Sequence, residues 1–216
     1  QNPGYHERPA WFKESFLDLR EDVADAAKAD KRVILYFYQD GCPYCAKLLL
    51  DGLGDPTIGE LARRRFDWIA INLWGDREVT GLSGDSTTEK QFAAALKVQF
   101  TPTLLLLDEG GQTVLRLNGY YPPHELGTAL DYAAERRERQ GVVYADYRAA
   151  KTPAAAKGRL HEESGFLPQP LRLAENRRGA ARPLVVMFEQ PVCRDCDALH
   201  ESTLRREPVA YSLAGF

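Results

Sequence analysis

Val33-Ile34-Leu35-Tyr36-Phe37-Tyr38, then Gln39-Asp40-Gly41, then Cys42-Pro43-Tyr44-Cys45 is the stretch that decides the fold. Six apolar residues in a row, rich in β-branched and aromatic side chains, describe a short strand buried on both faces. Directly after it, two thiols separated by two residues are delivered onto the first turn of a helix, the geometry that thiol–disulfide exchange requires. The outer Cys42 takes the helix N-terminus, where unpaired backbone N–H groups and the positive end of the dipole favour a thiolate. Cys45 lies one turn further along the same face, placed to attack a mixed disulfide and release the partner.

The pattern recurs at Cys193-Arg194-Asp195-Cys196, after Leu184-Val185-Val186-Met187-Phe188, and the two pairs hold all four cysteines of the chain. Two pairs also raise the possibility of a four-cysteine zinc site. Spacing argues against it: 147 residues separate Cys45 from Cys193, against roughly 15 to 20 in a zinc ribbon. No metal is therefore expected at Cys42 and Cys45.

The chain has 216 residues, with 28 basic and 31 acidic side chains and a formal net charge of −3. That balance gives no electrostatic footprint for nucleic acid or a membrane surface. No apolar run approaches the ~18 residues of a spanning helix, and Gln1-Asn2-Pro3-Gly4 lacks the charged and apolar regions of a signal sequence. A start at Gln instead of Met favours removal of a preceding segment, although a chosen boundary would look the same.

Along the chain, Trp11 to Lys31 carries Phe12, Phe16, Leu19, Val23 and Ala27 at helical spacing, which predicts a helix before the Val33–Tyr38 strand. The helix from Cys42 to Leu50 breaks at Gly52-Leu53-Gly54, and Asp55-Pro56 restarts it as N-cap and first helical residue. Phe66 to Leu73 reads as a second strand; joined to the first through a helix, it is expected to run parallel. The cysteines then lie at the carboxyl end of a central strand, where open α/β sheets place their sites. Trp74 to Ser86 reads as a polar insertion, and Thr88-x-x-Gln91 as a capping box opening the next helix. Phe100-Thr101-Pro102-Thr103 leads into Leu104 to Leu107, and Asp108-Glu109-Gly110-Gly111 turns the chain into Thr113 to Leu117 as a hairpin. A proline heading a strand is tolerated in either isomer.

The order strand, Cys-Pro-Tyr-Cys, helix, strand, helix, Thr-Pro-Thr, hairpin, helix resembles the thioredoxin superfamily over about Val33 to Arg136. The resemblance implies an α/β fold with a central mixed sheet flanked by helices. It also implies a cis Thr101-Pro102 bond against the cysteine pair, and a loop whose backbone pairs with substrate in strand-like fashion. Trp74-Gly75-Asp76-Arg77-Glu78, Phe100 to Thr103 and Gly119-Tyr120-Tyr121-Pro122-Pro123 are similar to SoxW-type exported thioredoxins and to disulfide isomerases of the DsbC type. The SoxW-type resemblance implies a bacterial periplasm and a membrane or periplasmic dithiol donor; the expected activity is that of a reductase of protein disulfides, a reaction that needs no bound cofactor. Cys42 and Cys45 are the expected catalytic pair, with Thr101, Pro102, Pro43 and Tyr44 against the substrate. One departure is Tyr36, which stands six residues before Cys42 where thioredoxin carries a buried Asp. A carboxylate assisting proton transfer to the resolving thiol is missing from that strand, and Asp40 reads as a solvated turn residue.

Shifted by 151 residues, Cys42 meets Cys193, Phe37 meets Phe188, Gln39 meets Gln190, Leu48 meets Leu199 and Leu53 meets Leu204. Such self-similarity reads as the start of a second unit of the same type, with Cys193 and Cys196 as a possible second redox pair. Only 20 residues follow Cys196, too few to complete it, so the unit is expected either to continue beyond Phe216 or to dock elsewhere as an arm. The chain thus divides into residues 1–140 as the first domain, 141–182 as a linker and 183–216 as the incomplete repeat. The linker carries Pro153-Ala154-Ala155-Ala156, Pro168, Pro170 and Arg177-Arg178. Its composition suits short helices more than a core. Between the second pair of thiols, Arg194 favours a thiolate and Asp195 opposes it, which leaves the sign open. His200, four residues after Cys196, offers an alternative of another class: a metal-delivery or adaptor module binding copper or zinc through Cys193, Cys196 and His200. His6, His124 and His161 have no partner in sequence that recommends them.

Overall fold

Arg32–Tyr38 form β1, the strand on which the rest is built. It pairs in parallel with β2 (Phe66–Asn72) from Arg32↔Phe66 to Tyr38↔Asn72. On its other side it pairs antiparallel with β5 (Thr103–Leu107), which pairs in turn with β6 (Thr113–Asn118). The mixed sheet has the order β2-β1-β5-β6. The computed structural model describes residues 7–151, 158–163, 165–167, 172, 175, 178 and 183–213. The expectations for Gln1 to Gly4, His6, Pro153 to Ala156, Pro168, Pro170, Arg177 and the side chain of Arg194 lie outside the described residues.

Strand side chains alternate between faces, and each face of the sheet has its own core. Ile34, Tyr36, Trp68, Ala70, Leu104 and Leu106 point to one side. Covering them are α2 (Pro43–Lys47) with a following π turn (Leu48–Gly52), α3 (Pro56–Arg65) and α5 (Pro123–Ala134). Val33, Leu35, Phe37, Ile69, Ile71, Leu105 and Leu107 point to the other side, against α1 (Leu19–Lys28) and α4 (Glu89–Ala95). A strand apolar along its whole length is what two covered faces demand.

Local signals act where they were read. Asp55 caps α3 through Thr57 N–H at 2.9 Å and Ile58 N–H at 3.0 Å, with Pro56 as first helical residue. Thr88 and Gln91 form the reciprocal capping box of α4. At Gly54 a Cβ would stand 1.9 Å from the Leu50 carbonyl oxygen, so the break between the π turn and α3 requires glycine.

Two readings of local structure in the first unit are corrected. The helix expected from Trp11 begins only at Leu19, behind an Asp18 N-cap. Trp11 and Phe12 instead pack their rings on Trp68, at 6.1 and 5.4 Å, while Phe16 is fully exposed. The polar insertion Trp74–Ser86 carries β3 (Glu78–Thr80), which forms a two-stranded ribbon with β4 (Ser86–Thr88) at the insertion's end. The first compact unit runs through Lys151, past the boundary drawn at 140. The extra residues include α6 (Tyr144–Lys151), whose buried Tyr147 packs edge-on against Tyr132 of α5 at 5.5 Å.

The second unit starts at residue 152. Leu184 to Phe188, expected as a strand, has no regular secondary structure. Val185, Val186 and Phe188 are exposed, Phe188 by 92%. A strand needs a neighbour for its N–H and C=O groups, and among the described residues of this unit none is a strand. What does form is α7 (Arg194–Ala198), a π turn (Leu199–Thr203) and α8 (Glu207–Leu213). At the 151-residue offset these begin at the same positions as α2, its π turn and α3. Among the described residues, no helix is long and apolar enough to cross a membrane.

Two buried ionic clusters tie down the loops of the first unit. Glu89, buried at the start of α4, accepts from Asn72 N–H at 2.9 Å, from Arg77 Nη2 at 2.7 Å and from Arg77 N–H at 3.4 Å, fixing the loop after β2. Glu89→Ala leaves those donors unpaired and should lower stability by about 2–3 kcal/mol, read from urea unfolding. Arg32, also buried, binds Glu109 and Glu138, and Arg136 adds to Glu109 at 2.6 Å. Burial raises the Glu109 pKa, but hydrogen bonds from Arg32 and Arg136 outweigh it and bring it down to about 2. A carboxyl depressed in the folded state contributes stability above its unfolded pKa and loses it as pH falls toward the folded value. Unfolding midpoints of the native chain should therefore drop between about pH 4.5 and about 2. In Glu109→Gln this share of the acid dependence should vanish and stability at neutral pH should be lower.

Candidate active site

β1 ends at Tyr38, and the antiparallel partner β5 begins at Thr103 opposite Phe37. This register carries the loop before β5 to the end of β1, where the first cysteine pair sits. Cys42 and Cys45 form a disulfide with Cα atoms 5.2 Å apart. Cys42 is the N-cap of α2, its Sγ accepting from Cys45 N–H at 3.1 Å, and Pro43 is the first residue of the helix. Thr101 approaches the same sulfur twice, its Oγ1 at 3.4 Å and its carbonyl oxygen at 3.5 Å. The Thr101–Pro102 peptide bond is cis, and Pro102 is buried with its carbonyl accepting from Gly119 N–H at 2.7 Å.

The expected residues Cys42, Pro43, Tyr44, Cys45, Thr101 and Pro102 are thus gathered in one place by α2 and the loop before β5. Cys42 and Cys45 are 3% and 5% exposed, so accessibility does not tell the two sulfurs apart. Hydrogen bonding does: the Cys42 sulfur has the Cys45 N–H and the Thr101 hydroxyl as donors, and donors placed there stabilise a thiolate once the bond is reduced. Tyr36 occupies the core between Phe12 at 5.9 Å and Tyr38 at 5.7 Å, where burial pushes its phenol pKa up. It supplies no carboxylate, and Asp40 is exposed.

Beside Tyr44, three aromatic residues without an assigned role, Tyr120, Phe100 and Trp74, surround this end of the sheet. Tyr44 is 60% exposed and faces Tyr120 at 6.4 Å, with Lys47 over the Tyr120 ring at 5.0 Å. Phe100, just before Thr101, and Trp74 are 61% and 69% exposed. Trp74 donates through Nε1 to Gln39 Oε1 at 3.0 Å, which fixes the indole beside the segment leading into Cys42. The signal in the sequence for Trp74, Phe100 and Tyr120 was one of place: they lie in the loops after β2, before β5 and after β6, at the end of the sheet where the cysteines are.

Cys193 and Cys196 are also joined as a disulfide, with Cα atoms 5.2 Å apart and Cys193 capping α7 through Cys196 N–H at 3.1 Å. The ligand set expected of Cys193, Cys196 and His200 does not form. The sulfurs are bonded to each other, and both ring nitrogens of His200 face carboxylates, Nδ1 at 3.2 Å from Glu163 and Nε2 at 2.5 Å from Glu189.

Removing the Thr101 hydroxyl tests the donor pattern. Thr101→Val should slow alkylation of reduced Cys42 near neutral pH by about tenfold or more, since a hydrogen bond to a charged group contributes about 1.5–3 kcal/mol. Mass-resolved alkylation kinetics check it; an unchanged rate would mean the hydroxyl does not act on the sulfur.

The family model of the thioredoxin-like domain matches residues 19–134, more than half of the chain. No curated protein matches it. A thioredoxin-fold protein from Helicobacter pylori is similar at 22% identity and TM-score 0.48, over 64% of this chain and 93% of its own. A thioredoxin from Thermus thermophilus is 24% identical with TM-score 0.44, over 57% and 88%. A putative disulphide-isomerase from Bacteroides thetaiotaomicron is 21% identical with TM-score 0.45, over 62% and 97%. On the family match, and with the strand order and cysteine placement described above, the chain belongs to the thioredoxin-like domain family.

Proposed function

We propose that the chain is a thiol–disulfide oxidoreductase that reduces protein disulfides through Cys42 and Cys45. The observation that carries this reading is the Cys42 sulfur at the start of α2, within 3.4 Å of the Thr101 hydroxyl and 3.1 Å of the Cys45 N–H. In the reduced enzyme the Cys42 thiolate attacks one sulfur of the substrate disulfide. A Cys42–substrate bond forms, the substrate S–S bond breaks, and the other substrate sulfur leaves as a thiolate. Cys45, deprotonated, then attacks the Cys42 sulfur. The Cys42–Cys45 disulfide forms and the second substrate thiolate departs, two electrons having passed to the substrate.

Substrate contacts are assigned to the cis Thr101–Pro102 loop, Pro43 and Tyr44, with the loop backbone pairing with an extended segment as the resemblance implies. Exposed Tyr44, Phe100 and Trp74 suit apolar side chains of a polypeptide. The reductive direction, a periplasmic setting and a membrane or periplasmic dithiol donor rest on the resemblance to SoxW-type proteins. Cys193 and Cys196 are assigned as a second redox pair on the strength of their matching N-cap geometry.

Insulin disulfide reduction under a dithiol donor tests the reading. Cys42→Ser should abolish it, and Cys45→Ser should accumulate Cys42-linked mixed disulfides, resolved by non-reducing electrophoresis and mass spectrometry. Full activity in Cys42→Ser would sink the assignment.

A further inference from the structure

At the 151-residue offset, Asp197 and His200 stand where the first unit has Ala46 and Leu49. Ala46 is buried beside the sulfurs, and Leu49 belongs to the first unit's core. In the second unit the same two positions are again buried, but they carry an acid and an imidazole. A buried polar side chain needs partners. Those present are His161, Glu163 and Glu189.

The rings of His161 and His200 stack face to face, 4.1 Å apart and 6° from parallel. Glu189 lies between their inner nitrogens, its Oε1 2.5 Å from His200 Nε2 and 3.5 Å from His161 Nδ1, while Oε2 accepts from the His161 N–H at 3.2 Å. The outer nitrogens face two further carboxylates, His161 Nε2 at 2.9 Å from Asp197 and His200 Nδ1 at 3.2 Å from Glu163. The His161 side chain is 10% exposed, and among the described residues neither of its ring nitrogens makes a hydrogen bond, the Asp197 approach being close but misaligned. One ligand atom from each of His161, Glu189 and His200 falls within 4.8 Å of the others.

We infer that His161, Glu189 and His200 bind a divalent transition-metal ion of the zinc class, with Asp197 and Glu163 holding the outer ring nitrogens. Two imidazoles and one carboxylate are a donor set that Zn²⁺ takes in tetrahedral sites, leaving one position open. Glu163 on the outer nitrogen of His200 fixes that ring's tautomer and raises the basicity of the inner nitrogen, and Asp197 stands 2.9 Å from the outer nitrogen of His161. Three carboxylates, of Glu163, Glu189 and Asp197, converge on the two imidazoles, and a divalent ion would balance that charge. Bonds of about 2.0–2.2 Å need the Glu189–His200 pair to open to about 3 Å, and because an ion must lie near the plane of each imidazole it binds, one of the two stacked rings must also turn about its side-chain bonds. The ion belongs to this cluster and takes no part in exchange at Cys42, and the cysteine sulfurs are not among its ligands.

Zinc titration of the whole chain under non-reducing conditions, followed by calorimetry, tests this. One equivalent should bind to the native chain and equally to His124→Gln, whose exposed imidazole lies in the first unit. His161→Gln and Glu189→Gln should each weaken binding by more than about tenfold, the lower bound set by the loss of mere supporting partners. Cobalt gives a reading independent of variants: the Co²⁺ form should show ligand-field bands of nitrogen and oxygen donors without sulfur charge transfer. No zinc binding above buffer, undiminished binding in the His161→Gln/His200→Gln double variant, or sulfur charge transfer in the cobalt spectrum would each overturn the inference.

Discussion

The antiparallel pairing of β1 with β5, Phe37 opposite Thr103, is the constraint on which the site depends. Because the two strands run in opposite directions, the end of one is the beginning of the other. Whatever follows β1 therefore meets whatever precedes β5. The cysteine pair follows β1 and Thr101-Pro102 precedes β5, so contact at 3.4 Å between residues 59 positions apart comes from sheet register. Neither loop could supply that alignment alone. The strands hold it because both of their faces are covered, by α2, α3 and α5 on one side and α1 and α4 on the other.

The same constraint explains why so much of the first unit was legible. A run such as Val33 to Tyr38 has no stable place except the middle of a sheet, and a cysteine pair after it marks which end carries chemistry. Asp55-Pro56 and Thr88-x-x-Gln91 were equally readable, since a cap is made by residues within one turn of each other. Where the reading went astray, the deciding partner was distant in sequence. Trp11 and Phe12 have helical spacing, yet Trp68, more than fifty residues on, gives their rings a better surface than a helix would. A local signal at Asp18, capping Arg20 and Glu21, marked the true start of α1. Three-residue strands such as β3 and β4 are too short for alternation to show. Tyr147 brought α6 into the first unit through Tyr132, a contact that linker-like composition does not reveal.

Glu89 shows how a buried charge sets the surroundings of the site from a distance. Its carboxylate gathers the N–H groups of Asn72 and Arg77, which fixes both sides of Trp74, and the indole then reaches back to Gln39 just before the cysteines. A strand end, a helix start and an exposed aromatic ring are thereby connected through one acid. Arg32 plays a corresponding part at the opposite end of β1, where Glu109 and Glu138 converge on its guanidinium. The start of β1 is thus tied to loops by ion pairs of the buried Arg32, and its end by the Trp74–Gln39 hydrogen bond to a loop that buried Glu89 holds, which suits a sheet whose faces leave no room for charge.

The two cysteine units separate what is local from what is tertiary. Cap, short helix, π turn and restart recur at the same offsets, with the N–H to sulfur distance 3.1 Å in both, because four to twenty consecutive residues determine them. What surrounds that local motif differs. In the first unit the helix face turned inward carries Ala46 and Leu49 and meets a sheet; in the second it carries Asp197 and His200 and meets imidazole and carboxylate. His161 was unreadable as a partner for the plain reason that its neighbours Glu189 and His200 lie 28 and 39 residues away, with no periodicity linking them. A repeat in sequence therefore preserves the backbone device that presents a dithiol. The inward-facing residues decide whether that device rests on a hydrophobic core or on a polar one.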